Sequence, residues 1–211
     1  TSYEMAITPF PLALAMLEEF SEIESYARFF VQEETMVTAG GRDFLETGFV
    51  YADSTVFDIF THRFIHGTPR GSLSEPGTVV LNQTLSSKYF GQENPMGRSI
   101  EINQEHFMVT GVVEDLPRNT HFPYEAMMSM PSADPRVVYS LDPELFWNIN
   151  HNYTYIMLHT EREIASVLEK MDDFSKKYVG PMVETFGAQA TYAATPLRET
   201  HFTPLMMAPE T

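Results

Sequence analysis

The 211-residue sequence predicts an α+β fold in which both chain ends build one lobe and a strand-rich block is inserted between them. Three observations carry this expectation. Apolar residues recur at helical spacing near the start (Leu12, Met16, Leu17, Phe20). They do so again near the end, where Ile164, Val167, Leu168, Met171, Phe174 and Tyr178 trace one face. Between these ends, residues 49–145 change texture to short β-type runs broken by glycine and proline. The expected boundaries are therefore residues 1–48 with 146–211 for the split lobe and 49–145 for the insert. Chain ends that share a domain tend to emerge close together, as a module hung between two membrane helices requires.

The elements follow in order. Thr8-Pro9 reads as a helix start, because proline at the first helical position loses no needed N–H. The aromatic run 25–32 reads as a strand and Gly40-Gly41 as a turn. A short strand from Phe49 leads to Asp53 or Ser54 as N-cap of a brief helix through Phe60. Glu75-Pro76-Gly77-Thr78 places proline and glycine where a type II turn needs them. "TVVL" is then a strand, Asn82 an N-cap, and Leu85, Tyr89 and Phe90 the buried side of a helix that Gly91 closes. Pro95 and Gly97 turn the chain into "RSIEI", and Asn103-Gln104 joins that strand to "HFMVTGVVEDL" as a hairpin. Pro117 ends this meander, and "YEAMMSM" adds one more strand. In the C-terminal part, "NYTYIMLH" is a strand, Thr160 and Glu163 form a capping box, Gly180-Pro181 stops the long helix, and "QATYAATPL" closes with a strand.

Composition removes several function classes. Thirteen Lys plus Arg against 29 Asp plus Glu give a net charge of −16, which repels phosphate backbones and anionic headgroups. Nucleic acid is thus not an expected partner. The chain has no cysteine, so disulfides, thiol nucleophiles and thiolate-ligated metals are absent. No apolar run approaches the roughly 18 residues that span a bilayer. The first residue is Thr1, which predicts a piece of a longer parent chain.

No reaction chemistry stands out. His62 and His66 would share a helix face as metal ligands, but "THRFIHG" alternates like a strand and offers no third ligand. Glu114-Asp115 are strand neighbours that point to opposite faces, and Asp172-Asp173 lie on the polar side of a helix. Neither a G-x-S-x-G elbow nor a P-loop occurs. Met127, Met128, Met130, Met206 and Met207 read as pliable core or partner-facing surface. No catalytic residue, metal ligand or cofactor is expected within this chain.

Joined elements carry a resemblance. "V-L-N-x-x-x-S-x-x-Y-F-G…N-P-x-G" over 80–97 and "V-T-G-V-x-x-D-L-P" over 109–117 occur in order with "VYADSTVFDIFTHRFIHGTP", "NYTYIMLH" and "PLRETHF". In this pattern the chain resembles the extracytoplasmic domain of MacB/FtsX-like ABC transporter permeases from about Thr8 to Phe202. The resemblance implies a membrane-proximal Porter-like lobe made of βαβ-type units from both ends, and an inserted Sabre-like lobe. It marks Gly67, Asn82, Tyr89, Phe90, Gly91, Pro95, Gly97, Gly111, Asp115 and Pro117 as structural positions. The sequence shows no hinge directly; a hinge, if present, is expected near 45–50 and 141–150, where the lobes join. It implies a periplasmic domain of a bacterial inner-membrane permease that passes ATP-driven motion to partners or substrates, in efflux, lipoprotein release or peptide response. ATP would be bound by a separate ATPase domain or subunit. Implied partners are the parent's own transmembrane helices, that cytoplasmic ATPase, and a periplasmic adaptor or lipoprotein. The parent would be a membrane dimer and the excised domain a monomer. An alternative reading is a ligand-sensing or solute-binding domain with a cleft between lobes, motivated by 16 Phe and 10 Tyr.

Overall fold

A computed structural model describes residues 6–117, 119–138, 150–180 and 192–202. In chain order the strands and helices are β1 (Thr8–Pro9), α1 (Leu12–Glu19), β2 (Ile23–Val31), β3 (Thr35–Ala39), β4 (Arg42–Glu46), β5 (Phe49–Ala52), α2 (Val56–Ile59) and β6 (Phe64–Gly67). They continue with β7 (Thr78–Asn82), α3 (Gln83–Phe90), β8 (Ser99–Ile102), β9 (Glu105–Val113), β10 (Ala126–Ser129), α4 (Pro135–Val138), β11 (Asn150–Leu158) and α5 (Ile164–Tyr178). The fold is mixed α/β. It divides into a terminal unit, Thr1–Tyr26 with Arg136–Thr211, and a central unit, Ala27–Pro135.

This division falls earlier than the 48/49 and 145/146 positions read from the sequence. The cause is non-local pairing: β3 joins β8 (Val37↔Ile102, Thr38↔Glu101), so the β3–β4 hairpin belongs to the central unit. Residues 141–149, where one hinge was expected, lie outside the described residues.

In the central unit the strand order is β2–β5–β10–β7–β9–β8–β3–β4, with β6 beside β9. Most pairs are antiparallel, but β5–β10 and β7–β9 are parallel. A parallel pair cannot be closed by a tight turn, so the chain crosses from β7 to β9 through α3 and β8. Every residue of β7 is buried, the pattern of a central strand covered on both faces. Phe49, Val79, Leu81, Leu85, Tyr89, Ile100, Phe107 and Val109 share one core. Met127, Met128 and Met130 are buried, so these methionines are core and not surface.

In the terminal unit, β1 pairs antiparallel with β11. One core holds Leu12, Met16 and Phe20 of the α1 segment together with Val167, Met171 and Phe174 of α5. The apolar stripes read from the sequence are thus the packed faces, although Leu17 and Leu168 at their rims remain exposed.

Three local expectations are corrected. Thr8-Pro9 is a strand and not a helix start, and α1 begins only after Pro11. Phe10 precedes that proline, whose ring disfavours helical backbone at the preceding residue, while Thr8 Oγ1 donates to Asn152 O at 3.0 Å. Neither Asp53 nor Ser54 caps α2; its N-cap residue is Thr55, because the Asp53 carboxylate is engaged elsewhere. The closing strand over 189–197 does not form in its described part: residues 192–196 are irregular and Leu197–Phe202 is a 3-10 helix. Pro181, the expected helix stop, lies outside the described residues.

Candidate functional site

The residues marked by the resemblance fall on the central unit, where they build a braced scaffold. Asn82 is extended (φ −76°, ψ 168°), and its Oδ1 accepts from Leu85 N at 2.8 Å, one of the donors a helix start leaves unpaired. Asp115, 31 residues beyond Thr84, braces the same helix end: Oδ1 accepts from Thr84 N at 3.0 Å and Oδ2 from Thr84 Oγ1 at 2.7 Å. A carboxylate at a helix N-terminus is also favoured by the helix dipole. At the other end, Gly91 adopts φ 64° and ψ −121°, a backbone conformation that only glycine adopts readily.

Side chains then tie α3 to the hairpin. Lys88 Nζ reaches both Glu46 oxygens at 2.7 and 2.9 Å, and Tyr89 Oη donates to Glu46 Oε1 at 2.9 Å. Burial first, and this carboxylate second, push the Tyr89 phenol far above its ordinary value. Phe90 is half-buried against the core, and the Arg98 guanidinium lies over its ring. Pro95 is buried, and Gly97 (φ 74°) completes the turn into β8. Gly67 and Gly111 face each other across β6 and β9. A Cβ on Gly67 would sit 2.5 Å from Thr110 O, and one on Gly111 would sit 2.8 Å from Phe64 Cε1. Pro117 is exposed just beyond Asp115.

A second brace was not legible in the sequence. Arg28 is fully buried on β2, and its NH2 meets Asp53 Oδ1 at 2.9 Å. Its Nε and its backbone N both donate to Asp53 Oδ2, each at 2.9 Å. An arginine inside an aromatic-rich strand was the available signal, since a buried charge requires a partner.

In the terminal unit, polar contacts fasten the α1–β2 corner to α5. Glu22 Oε1 accepts from Ser166 Oγ at 2.6 Å and from Lys170 Nζ. Glu19 Oε1 accepts from Lys177 Nζ and from Tyr178 Oη. The Lys170 hydrogen bond, then that of Ser166, lowers the Glu22 carboxyl from 4.5 to about 2. A depressed carboxyl stabilises the fold fully above its unfolded value and loses that contribution as pH falls through the folded value. Melting temperature is therefore expected to fall on acidification from pH 4.5 toward 2. Glu22→Gln should lower it at neutral pH and flatten this acid limb; an unchanged limb would show that the contact carries no such linkage.

The other candidates resolve as structural. His62 Nδ1 lies 3.1 Å from Phe60 O, so it must be the protonated nitrogen, and Nε2 then accepts from Tyr124 Oη. Burial lowers the His62 pKa, which keeps the ring neutral. His66 lies exposed on β6, and no group of three metal-ligating side chains occurs among the described residues. Glu114 pairs with Arg63 at 3.0 Å while Asp115 serves Thr84, so the two carboxylates have separate duties. No described helix is long and apolar enough to cross a membrane.

Comparison with known proteins identifies the class of domain to which this fold belongs. The model of the MacB-like periplasmic core domain family matches residues 2–174. The chain belongs to that family, a family of transporter domains and not a known enzyme family. Among curated proteins none matches significantly. Three solved structures share the fold. A permease domain from Porphyromonas gingivalis is 16% identical with a TM-score of 0.75, covering 91% of this chain and 80% of that one. The periplasmic region of MacB from Actinobacillus actinomycetemcomitans is 15% identical with a TM-score of 0.59, covering 87% and 84%. The extracellular domain of the noncanonic ABC-type transporter YknZ from Gram-positive bacteria is 13% identical with a TM-score of 0.58, covering 90% and 91%.

Proposed function

We propose that this chain is the periplasmic domain of a bacterial inner-membrane ABC transporter permease that transmits ATP-driven motion of its membrane helices to extracytoplasmic partners or substrates. The observation that carries the reading is the family match over residues 2–174. The braces on α3 and the buried Arg28–Asp53 pair support it, because motion can be passed on only by a body that does not deform. In this reading the terminal unit is the Porter-like lobe and the central unit the Sabre-like lobe. The domain performs no bond chemistry, and ATP is handled by a separate ATPase. Efflux, lipoprotein release and peptide response all fit this mechanical role. The aromatic load behind the ligand-sensing alternative is taken up in packing, as in Phe20–Phe174 at 5.3 Å and Phe29–Phe122 at 5.1 Å, and gives that reading no separate support.

The test uses the full-length gene product in membranes. It is expected to co-purify with an ABC ATPase, and deletion of residues 27–135 should leave basal ATP hydrolysis while abolishing the transported or released output. A full-length chain that lacks membrane helices, or that associates with no ATPase, would overturn the proposal.

A further inference from the structure

The β3–β4 hairpin turns on Gly40 and Gly41, both at positive φ (58° and 73°), and its register runs unbroken from Ala39↔Arg42 to Thr35↔Glu46. In a ladder closed by a two-residue turn, the pair beside the turn exchanges both hydrogen bonds and the pairs then alternate. Ala39–Arg42, Val37–Phe44 and Thr35–Glu46 are thus the bonded pairs. The backbone N–H and C=O of Asp43 and Leu45 consequently point away from β3. Among the described residues β4 ends the sheet with no second neighbour. Natural edges are blunted by proline, a bulge, lysine or other charged side chains; β4 has no proline, bulge or lysine, and of its three charged residues only Asp43 shares the outer face with Leu45. Its two other charges turn inward to α3: Arg42 donates to Lys88 O at 3.4 Å, and Glu46 holds Lys88.

The same two residues present their side chains on the outer face. Leu45 is 61% exposed, and its cross-strand neighbour Met36 is 47% exposed. Asp43, Thr38, Glu101 and His106 form the adjoining cross-strand row, and Glu33 and Glu34 are exposed just before β3. This surface is apolar at one position and acidic two residues away, with no Lys or Arg in either row.

We propose that the free edge of β4 receives an extended segment of a partner protein by strand addition, with a hydrophobic residue beside Leu45 and a lysine or arginine two positions away beside Asp43. Main-chain bonds to Asp43 and Leu45 supply the attachment, and the acidic row selects the basic residue. A second copy of this chain is the poorer occupant, because each carries a net charge of −16 and the two repel. The proposal goes beyond the transport reading and stands or falls separately from it.

The test titrates the full 211-residue chain with a fluorescent peptide of about nine residues in which valine pairs and lysine pairs alternate, so that valine and lysine stand two positions apart on each strand face. Its control is a peptide of equal composition in which single valines and lysines alternate, which puts all valines on one face and all lysines on the other. The paired-repeat peptide is expected to bind saturably and to slow amide exchange at Asp43 and Leu45, with Arg42, Phe44 and Glu46 already protected. Leu45→Pro removes an outward donor without touching the β3 ladder and should weaken binding about tenfold or more; Asp43→Lys, which leaves the backbone intact, should do likewise. Equal binding of the singly alternating peptide, wild-type binding by the folded Asp43→Lys variant, or protection confined to other strands would overturn the proposal. So would a concentration-dependent dimer that protects β4 without peptide.

Discussion

Asp53→Ala is expected to destabilise the central unit by about 3–5 kcal/mol, the largest effect of any single polar substitution here. Arg28 has no exposed side-chain surface and the Asp53 side chain only 9%, so removing the carboxylate takes the counter-charge from a guanidinium that water does not reach. The loss extends beyond the ion pair, because Arg28 N also donates to Asp53. Replacing both partners together, with Arg28→Met and Asp53→Leu, should therefore recover part of the stability but not all of it. A buried charge that has lost its carboxylate costs more than an absent pair, yet the backbone N–H would still lack the Asp53 acceptor. Urea unfolding of the two variants checks the order. A double variant less stable than Asp53→Ala would contradict this account of the pair.

Gly67→Ala is expected to cost about 2–4 kcal/mol, in two parts that can be separated. The residue sits at φ +79°, where any side chain is strained, and its Cβ would meet Thr110 O at 2.5 Å, a backbone atom that cannot swing aside. Gly71 supplies the comparison. Its φ is +83°, but nothing lies within 4 Å of its would-be Cβ, so Gly71→Ala carries only the backbone strain of about 1–2 kcal/mol. The difference between the two variants, measured by denaturant unfolding, isolates the close approach of β6 to β9. Equal losses would mean that this contact relaxes at no cost.

These cases mark what the sequence could and could not reveal. Asn82, Gly91 and the Asn103-Gln104 turn were legible because capping and turn formation depend on a few neighbouring residues. Asn103 and Gln104 adopt φ 49° and 72°, as a two-residue hairpin demands. The structural positions named by resemblance were legible as a pattern, but their duties were not. That Asp115 braces Thr84 depends on strands brought together over 31 residues. Pairing of Arg28 with Asp53 hid for the same reason and displaced the expected cap of α2. The boundary of the central unit shifted because β3 finds β8, a partner that no local periodicity names. Local chemistry was read correctly where it was decisive, and non-local competition decided the rest.

These braces support the proposed mechanical role. A helix capped twice at its start, hooked by Lys88 and Tyr89 to Glu46, and joined to a sheet with a buried ion pair has few soft modes of its own. Motion arriving through the terminal unit would then be handed on, not absorbed.

Paired spin labels in the full-length permease with its ATPase test this most directly, and these 211 residues contain no cysteine of their own to compete for the label. Labels at Thr47 and Gln92 report on the central unit alone, and labels at Asp172 and Gln92 report on one unit relative to the other. The account predicts that the first distance distribution is the same with and without ATP, while the second shifts with nucleotide state. A nucleotide-dependent change within the central unit, or an inter-unit distribution that never moves, would contradict it.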